Sequence, residues 1–347
     1  MRAAFVYANP RAALAASVAV GTAPDTGLLG QNHLADLGVD AFVYDSLLRR
    51  TTRRPGLVHR LTWTARELTL PWEVGRADVI VTPLASLLPL AARVRRRPSV
   101  VLLNINLCTT LARLQGARRS LLARSLRAAS AIVCFAAAQR EKLLEQVALD
   151  PDRVHTVPLG VDDRFLRPAA SRGERRVLAV GRDNGRDYRT FVDAMRGVDA
   201  PATIVASARN VVGLDLPPNV AIELDVSPAR LRDLYADASC VVVPTRSEEF
   251  SFGADCSGQT VLLDAMAMAR ATVITQRATL AEYVDDGETA LFVPPEDAPA
   301  LAGRIEAVLG DEQLRDRLGQ AARAAVERSF TTRSFAGQLA PILKEAA

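Results

Sequence analysis

Short apolar runs alternate with longer amphipathic stretches along nearly the whole chain, and the alternation starts afresh once. The first series is Ala3–Ala8, Asp40–Tyr44, Asp78–Thr82, Ser99–Asn104, Ala131–Phe135 and Arg153–Val157. The second is Arg176–Val180, Ala202–Ala206, Val220–Glu223, Ser239–Val243, Ala271–Thr275 and Ala290–Val293. Between them lie segments of helical spacing such as Thr109–Ala129 and Ala136–Val147. Short apolar strands separated by helices predict parallel sheets covered on both faces. Two series predict an α/β chain of two Rossmann-like, doubly wound domains. The length of 347 residues agrees, at roughly 150 residues per domain.

The join is visible. Val157-Pro158-Leu159-Gly160-Val161-Asp162 reads as a strand end with turn residues, and Pro168–Gly173 is small, polar and unperiodic, as a linker is. The expected division is 1–168, 169–330 and a last helix, Thr331–Glu345, within 331–347. Charge divides the same way: residues 1–168 hold 23 Lys/Arg against 13 Asp/Glu, and the rest 20 against 26. One half is basic and the other acidic, which suits two modules with different surfaces.

Several classes are excluded. The longest apolar run, Val79–Ala92, is too short for a bilayer and contains Pro83 and Pro89. The first residues read as a strand, not a signal peptide. Four cysteines (Cys108, Cys134, Cys240, Cys256) show no CxxC, and the three histidines (His33, His59, His155) have no metal-ligand spacing. The expectation is a cytoplasmic chain without a metal site.

Open parallel sheets bind ligands beyond the carboxyl ends of their strands. After the first strand of the second series comes Gly181-Arg182-Asp183-Asn184-Gly185-Arg186-Asp187. Two arginines and two glycines in a strand-to-helix loop suit a phosphate; solvated arginines in a turn are the plainer alternative. Further on, Ser257-Gly258-Gln259-Thr260 opens into a helix whose first N–H groups lack internal partners. Thr260 and Asp264 share a face there, so the Asp264 carboxylate can accept two hydrogen bonds from a ribose diol, or stand as a surface charge.

Together these segments resemble the retaining glycosyltransferases of family 4, which have the GT-B fold of two Rossmann-like domains facing a central cleft. Val154–Asp162 is similar to that family's hinge, and Gly181-Arg182 with Arg186-Asp187-Tyr188 to its first donor motif, where a lysine usually stands at the place of Arg186. Leu231–Tyr235 with Val241–Thr245 resembles its nucleotide-flanking strand, and Leu262–Ala267 with Tyr283–Pro294 its longest signature. Two glutamates separated by seven residues are usual in the family; here Cys256 and Asp264 take their places, and Ala269 and Ala271 replace a glycine and a proline.

The resemblance implies a nucleotide sugar (UDP or GDP) as donor substrate, no cofactor and no metal. The acceptor would be a small molecule, a glycan or a lipid-linked hydroxyl. Arg182 and Arg186 would stabilise the leaving diphosphate, and Gly181, Ser257, Gly258, Gln259, Thr260 and Asp264 would bind the donor. A non-catalytic nucleotide-sugar-binding or membrane-docking subunit is the alternative, because the glutamate pair is altered. In the first half, Gly21 and Gly27 flank the candidate glycine-rich loop, and Asn104 and Asn106 stand where sugar-holding groups are expected, or cap a turn. His33 reads as a packed or surface residue. Arginines cluster at 49–54, at 93–97 and at 113–127. With 5% aromatic residues and no RNP-like pattern, nucleic acid is not expected, leaving solvated helix faces or peripheral contact with an anionic membrane.

Overall fold

The apolar runs become strands, most of them buried on both faces, while those at the sheet edges, such as Asp40–Val43 and Val220–Leu224, stay partly exposed. The computed structural model describes residues 1–45, 69–83, 86–95, 98–169, 175–250 and 252–347. The arginines at 49–54, Arg96, Arg97 and linker residues 170–173 lie outside the described residues.

The chain divides into two units: Met1–Val20, Asp25–Pro158 and Thr332–Ala347 form the first, Gly21–Pro24 and Leu159–Thr331 the second. The first contains β1 (Arg2–Phe5), β2 (Asp40–Val43), β3 (Val79–Thr82), β4 (Ser99–Leu103), β5 (Ala131–Cys134) and β6 (Val154–Thr156), in the order β2-β1-β3-β4-β5-β6. The second contains β7 (Val177–Val180), β8 (Ala202–Ala206), β9 (Val220–Leu224), β10 (Cys240–Val243), β11 (Thr272–Thr275) and β12 (Leu291–Val293), in the order β12-β11-β10-β7-β8-β9. Every described pairing within these sheets is parallel. This is the two-domain, Rossmann-like GT-B fold.

Alternation within a strand feeds two faces. In the second unit Val177 and Ala179 of β7 and Val242 of β10 pack with Phe191, Met195 and Ile305 from covering helices. Cys134 and Cys240 are fully buried core residues, as their apolar surroundings predict. Burial pushes the Cys240 thiol up to about 12.

The expected helix Thr109–Ala129 is broken into Leu107–Arg113 and Gly116–Ala128. Leu114 and Gln115 are extended between them and Gly116 takes φ +53°, a conformation open to glycine at little cost. The last helix, Thr332–Ala346, lies in the first unit, where Phe335 meets the Phe135 ring at 6.2 Å. Gly30, at φ +75°, passes beneath it: a Cβ there would stand 3.0 Å from Phe335 and 3.1 Å from Ala336.

Candidate active site

In the second sheet the winding reverses between β7 and β10, since β7 leads outward to β8 and β9, and β10 to β11 and β12. Loops leaving neighbouring strands at such a point diverge and leave a crevice at their carboxyl ends. A cavity of about 460 Å3 occupies this place in the second unit. Val180, Val205, Val226, Pro228 and Leu231 give it apolar walls, and Arg182, Arg186, Ser257, Gly258, Thr260 and Asp264 its polar ones.

The loop after β7 is built around Arg186. Gly181 has φ +148°, and a Cβ on it would overlap the Nε of Arg186, so only glycine leaves room for that side chain. Tyr188 Oη donates to the Gly181 carbonyl at 2.8 Å. Asp183 ties this loop to the one after β10: Oδ1 accepts from Gly185 N at 2.8 Å and Oδ2 from Ala254 N at 3.1 Å. Gly185 and Gly253 touch backbone to backbone, a Cβ on Gly253 falling 3.0 Å from Gly185 Cα. Asp187 N donates to Pro244 O at 3.0 Å, while its carboxylate caps the helix Tyr188–Met195 by accepting from Thr190 N at 3.2 Å.

Held on both sides, Arg186 is 8% exposed, and its Nε and Nη1 find no partner among the described residues. A buried charged donor without an acceptor is costly, by about 1–3 kcal/mol or more. Such atoms mark where a ligand's oxygens belong. Ser257, 3% exposed, lies alongside with an equally unpartnered Oγ. Gly258 (φ +96°) is the N-cap of the helix Gln259–Ala267, so the positive end of that helix opens into the same cavity.

Burial alone raises the Asp264 carboxyl to about 7. The Cys256 thiol, also in the lining, is pushed up to about 12 by burial, with Asp255 and Asp183 adding to it, so it is neutral at physiological pH. Tyr235 is raised by burial and by Asp264, while Arg186 opposes the shift. Its buried hydroxyl has no partner among the described residues.

Arg182, Arg186, Gly181, Ser257, Gly258, Thr260 and Asp264 therefore line one cavity. Arg182 is exposed there and pairs with Asp225 at 3.7 Å. Gln259 departs from expectation: its side chain is fully buried behind the cavity, with Nε2 donating to Thr279 O at 2.9 Å. Asn104 takes the capping alternative. It is fully buried and its Oδ1 accepts from Leu107 N at 2.9 Å, so it holds a helix start. Asn106 is the exposed N-cap residue of that helix. Gly27 packs on its own neighbours, a Cβ there meeting Leu14 at 2.9 Å, and Gly21 has φ +71° in open space. His33 is a packed residue, 2.7 Å from Asp25. Sequence reasoning missed Arg277, 9% exposed, which donates from Nη1 to Arg246 O at 2.9 Å while its Nε has no partner among the described residues. Burial lowers its pKa, against Glu248 and Asp183. A lone arginine after a strand carries no signal of such a position.

Two family models divide the chain. One described as Glycosyltransferase Family 4 matches residues 16–165, and one described as Glycosyl transferases group 1 matches residues 174–311. The chain belongs to glycosyltransferase family 4. Alpha-D-kanosaminyltransferase of Streptomyces kanamyceticus is 25% identical to it over 254 residues, 64% of this chain and 62% of that one. The chain spans 54–64% of the length of the first curated relatives it matches. Sucrose-phosphate synthase from Thermosynechococcus elongatus shares the fold, with TM-score 0.78 at 18% identity and 99% of each chain covered. So does Anabaena HepE in complex with UDP-glucose, with TM-score 0.69 at 14% identity and 99% of each chain covered. In this family 4 member the cavity lining from Val180 to Asp264 falls inside the second match.

Proposed function

We propose that this family 4 member is a retaining glycosyltransferase that moves a sugar from a nucleoside diphosphate sugar, with UDP or GDP as the nucleotide, to an acceptor hydroxyl. The observation that carries the reading is Arg186: a buried guanidinium whose Nε and Nη1 have no partner among the described residues, beside a Ser257 hydroxyl that likewise has none among them, at the mouth of a helix. A diphosphate supplies the oxygens and negative charge these groups lack. The apolar walls suit a nucleobase, and Asp264 a ribose diol. That HepE was crystallised with UDP-glucose, and that the Streptomyces relative is named for a sugar transfer, support the same class of donor.

In the reaction the bond from the anomeric carbon to the β-phosphate oxygen breaks, and charge gathers on the phosphate while the sugar becomes oxocarbenium-like. Arg186, Arg182 and the N–H groups around Gly258–Thr260 stabilise that charge in place. The departing phosphate oxygen takes the proton of the acceptor hydroxyl, whose oxygen bonds the anomeric carbon on the same face, so configuration is retained. The cations are the protein's own, and no resident cofactor or metal is assigned a role. Each charge-assisted bond contributes about 1.5–3 kcal/mol, so loss of one arginine costs about ten- to a hundredfold in rate. None of the four cysteines forms a disulfide among the described residues, and no helix among them is long and apolar enough to cross a membrane.

A second reading, a nucleotide-sugar-binding subunit without turnover, is favoured by one observation. Cys256, neutral and half-buried, stands in the lining at the place of a family glutamate. Incubation with radiolabelled UDP- and GDP-sugars separates the two. Transfer or hydrolysis is expected, and binding without turnover would establish the second reading. Thermal shifts with UDP, GDP, ADP and TDP identify the base, since a ligand at 100 times its Kd stabilises by about 2.7 kcal/mol. Arg186→Gln is expected to abolish that shift; if the shift survives unchanged, the diphosphate lies elsewhere.

A further inference from the structure

From Val79 to Arg140 the sequence holds ten arginines and no acidic residue. The structure sorts them. Arg119 donates to Leu111 O at 2.6 Å and Gln146 O at 3.0 Å, and Arg140 to Val154 O at 2.7 Å, so these two close the ends of neighbouring elements. Arg93, Arg118 and Arg124, by contrast, are exposed, on the contacting helices Leu88–Arg95 and Gly116–Ala128. Bare aliphatic side chains lie among them, Val94 at 82% and Leu121 at 43% exposure. Where the two helices adjoin β4 there is a pocket of about 460 Å3 lined by Arg93, Arg127, Arg153, Ser99 and Ser130. Arg153 is partly compensated by Asp150 at 3.5 Å, and Arg127 also donates to Ala148 O at 3.0 Å.

Arg93, Arg118 and Arg124 have no ion pair among the described residues, and such cations interleaved with exposed aliphatics match a surface that is both anionic and apolar just beneath. We propose that this face of the first unit docks on a bilayer rich in anionic phospholipid, with a headgroup phosphate in the arginine-lined pocket and Val94 and Leu121 at the headgroup boundary. Nucleic acid fits less well, because neither helix contains an aromatic residue to stack on bases, and exposed Val and Leu gain nothing from a phosphate backbone. Its pocket has no lining residue in common with the donor cavity, and the proposal does not depend on the reading of that cavity.

Co-sedimentation of the full chain with vesicles tests it. Binding is expected to phosphatidylcholine vesicles containing phosphatidylglycerol and not to phosphatidylcholine alone, and to weaken between about 0.1 and 0.5 M salt. Each basic residue near the surface is worth roughly fivefold, so Arg118→Gln with Arg124→Gln should lower partitioning about thirtyfold and Arg93→Gln about fivefold. Leu121→Ser should lower it a few-fold, and Arg186→Gln should leave it unchanged. Equal binding to both vesicle types would overturn the proposal, as would full binding by the double variant. So would tighter retention on duplex DNA or RNA, or release by inorganic phosphate at constant ionic strength, which would make soluble phosphate the occupant.

Discussion

Two polar loops, one in each unit, leave the carboxyl end of a parallel strand and run into a helix. After β4, Asn104 is fully buried and spends its amide within the fold: Oδ1 accepts from Leu107 N at 2.9 Å, and Nδ2 reaches the sulfurs of Cys108 and Cys134 at 3.6 and 3.5 Å. After β7, Arg186 is almost as buried, yet two of its donors have nothing to bind among the described residues. Arginines repeat the contrast, since both Nη atoms of Arg119 are used on carbonyls. Polar side chains in equivalent loops thus differ in whether the fold or a ligand completes them, and that difference separates structural from functional polarity.

The comparison is broken most directly at Arg186. If a ligand completes it, Arg186→Gln lowers turnover about ten- to a hundredfold without lowering Tm, because the lost group was unpaired in the free protein. A fall in Tm with unchanged activity per folded molecule would make Arg186 a prop like Arg119. Gly181→Ala should act at least as strongly on turnover, as its Cβ displaces the guanidinium; calorimetry beside the assay detects any accompanying loss of stability. Asn104→Ala should do the opposite. It leaves the buried Leu107 N–H without its acceptor, a cost of about 2 kcal/mol in denaturant unfolding, with kcat of the folded fraction intact.

The sequence foretold the sheets better than the site. All twelve expected strands exist with ends within three residues, because a strand buried on both faces appears as an unbroken apolar run between amphipathic ones. The break at Leu114–Gln115 was hidden: the helical spacing continues through it, and only Gly116 marks it. Arg186 and Ser257 were legible because they lie beside a glycine in loops that follow strands, and Asp264 because helical spacing puts it on the face of Thr260 in the helix Gln259–Ala267. Gln259 was assigned to the ligand because it opens a helix; its inward turn depends on the Thr279 carbonyl, brought up from a distant loop. Arg277 was invisible for the same reason, since its burial follows from where β11 ends relative to the loop that holds Arg246.

Asp264 sharpens the contrast by pH. Burial raises its pKa in the folded protein to about 7, from 3.8 when exposed. Between about pH 4 and pH 7 the folded chain holds a proton that the unfolded chain has released, so this residue lowers stability as pH rises through that window. Asp264→Asn removes the titration. The variant should gain on the parent with rising pH, by up to about 4 kcal/mol at pH 8, with the gap closing toward pH 4. On the proposal that the carboxylate accepts from the ribose diol, nucleotide binding should weaken in the same variant. A stability gap that does not change with pH would mean that Asp264 is not held protonated by its surroundings.

The smallest effect is expected at the other end of the same helix. Gln259–Ala267 opens on the cavity at Gly258 but is closed at its far end by the fold, with Arg270 N donating to Ala265 O at 2.9 Å and Ala269 N to Met266 O at 3.0 Å. This is the Schellman arrangement, and it places Ala269 at φ +53°, where glycine is favoured. A left-handed alanine costs about 1–2 kcal/mol, offset in part by the greater freedom of glycine when unfolded. Ala269→Gly should therefore raise stability by about 0.5 kcal/mol in denaturant titration and leave nucleotide affinity unchanged. A change in affinity would show that the closed end of the helix transmits strain to its open end, and the separation between fold-completed and ligand-completed polarity would not hold along this helix.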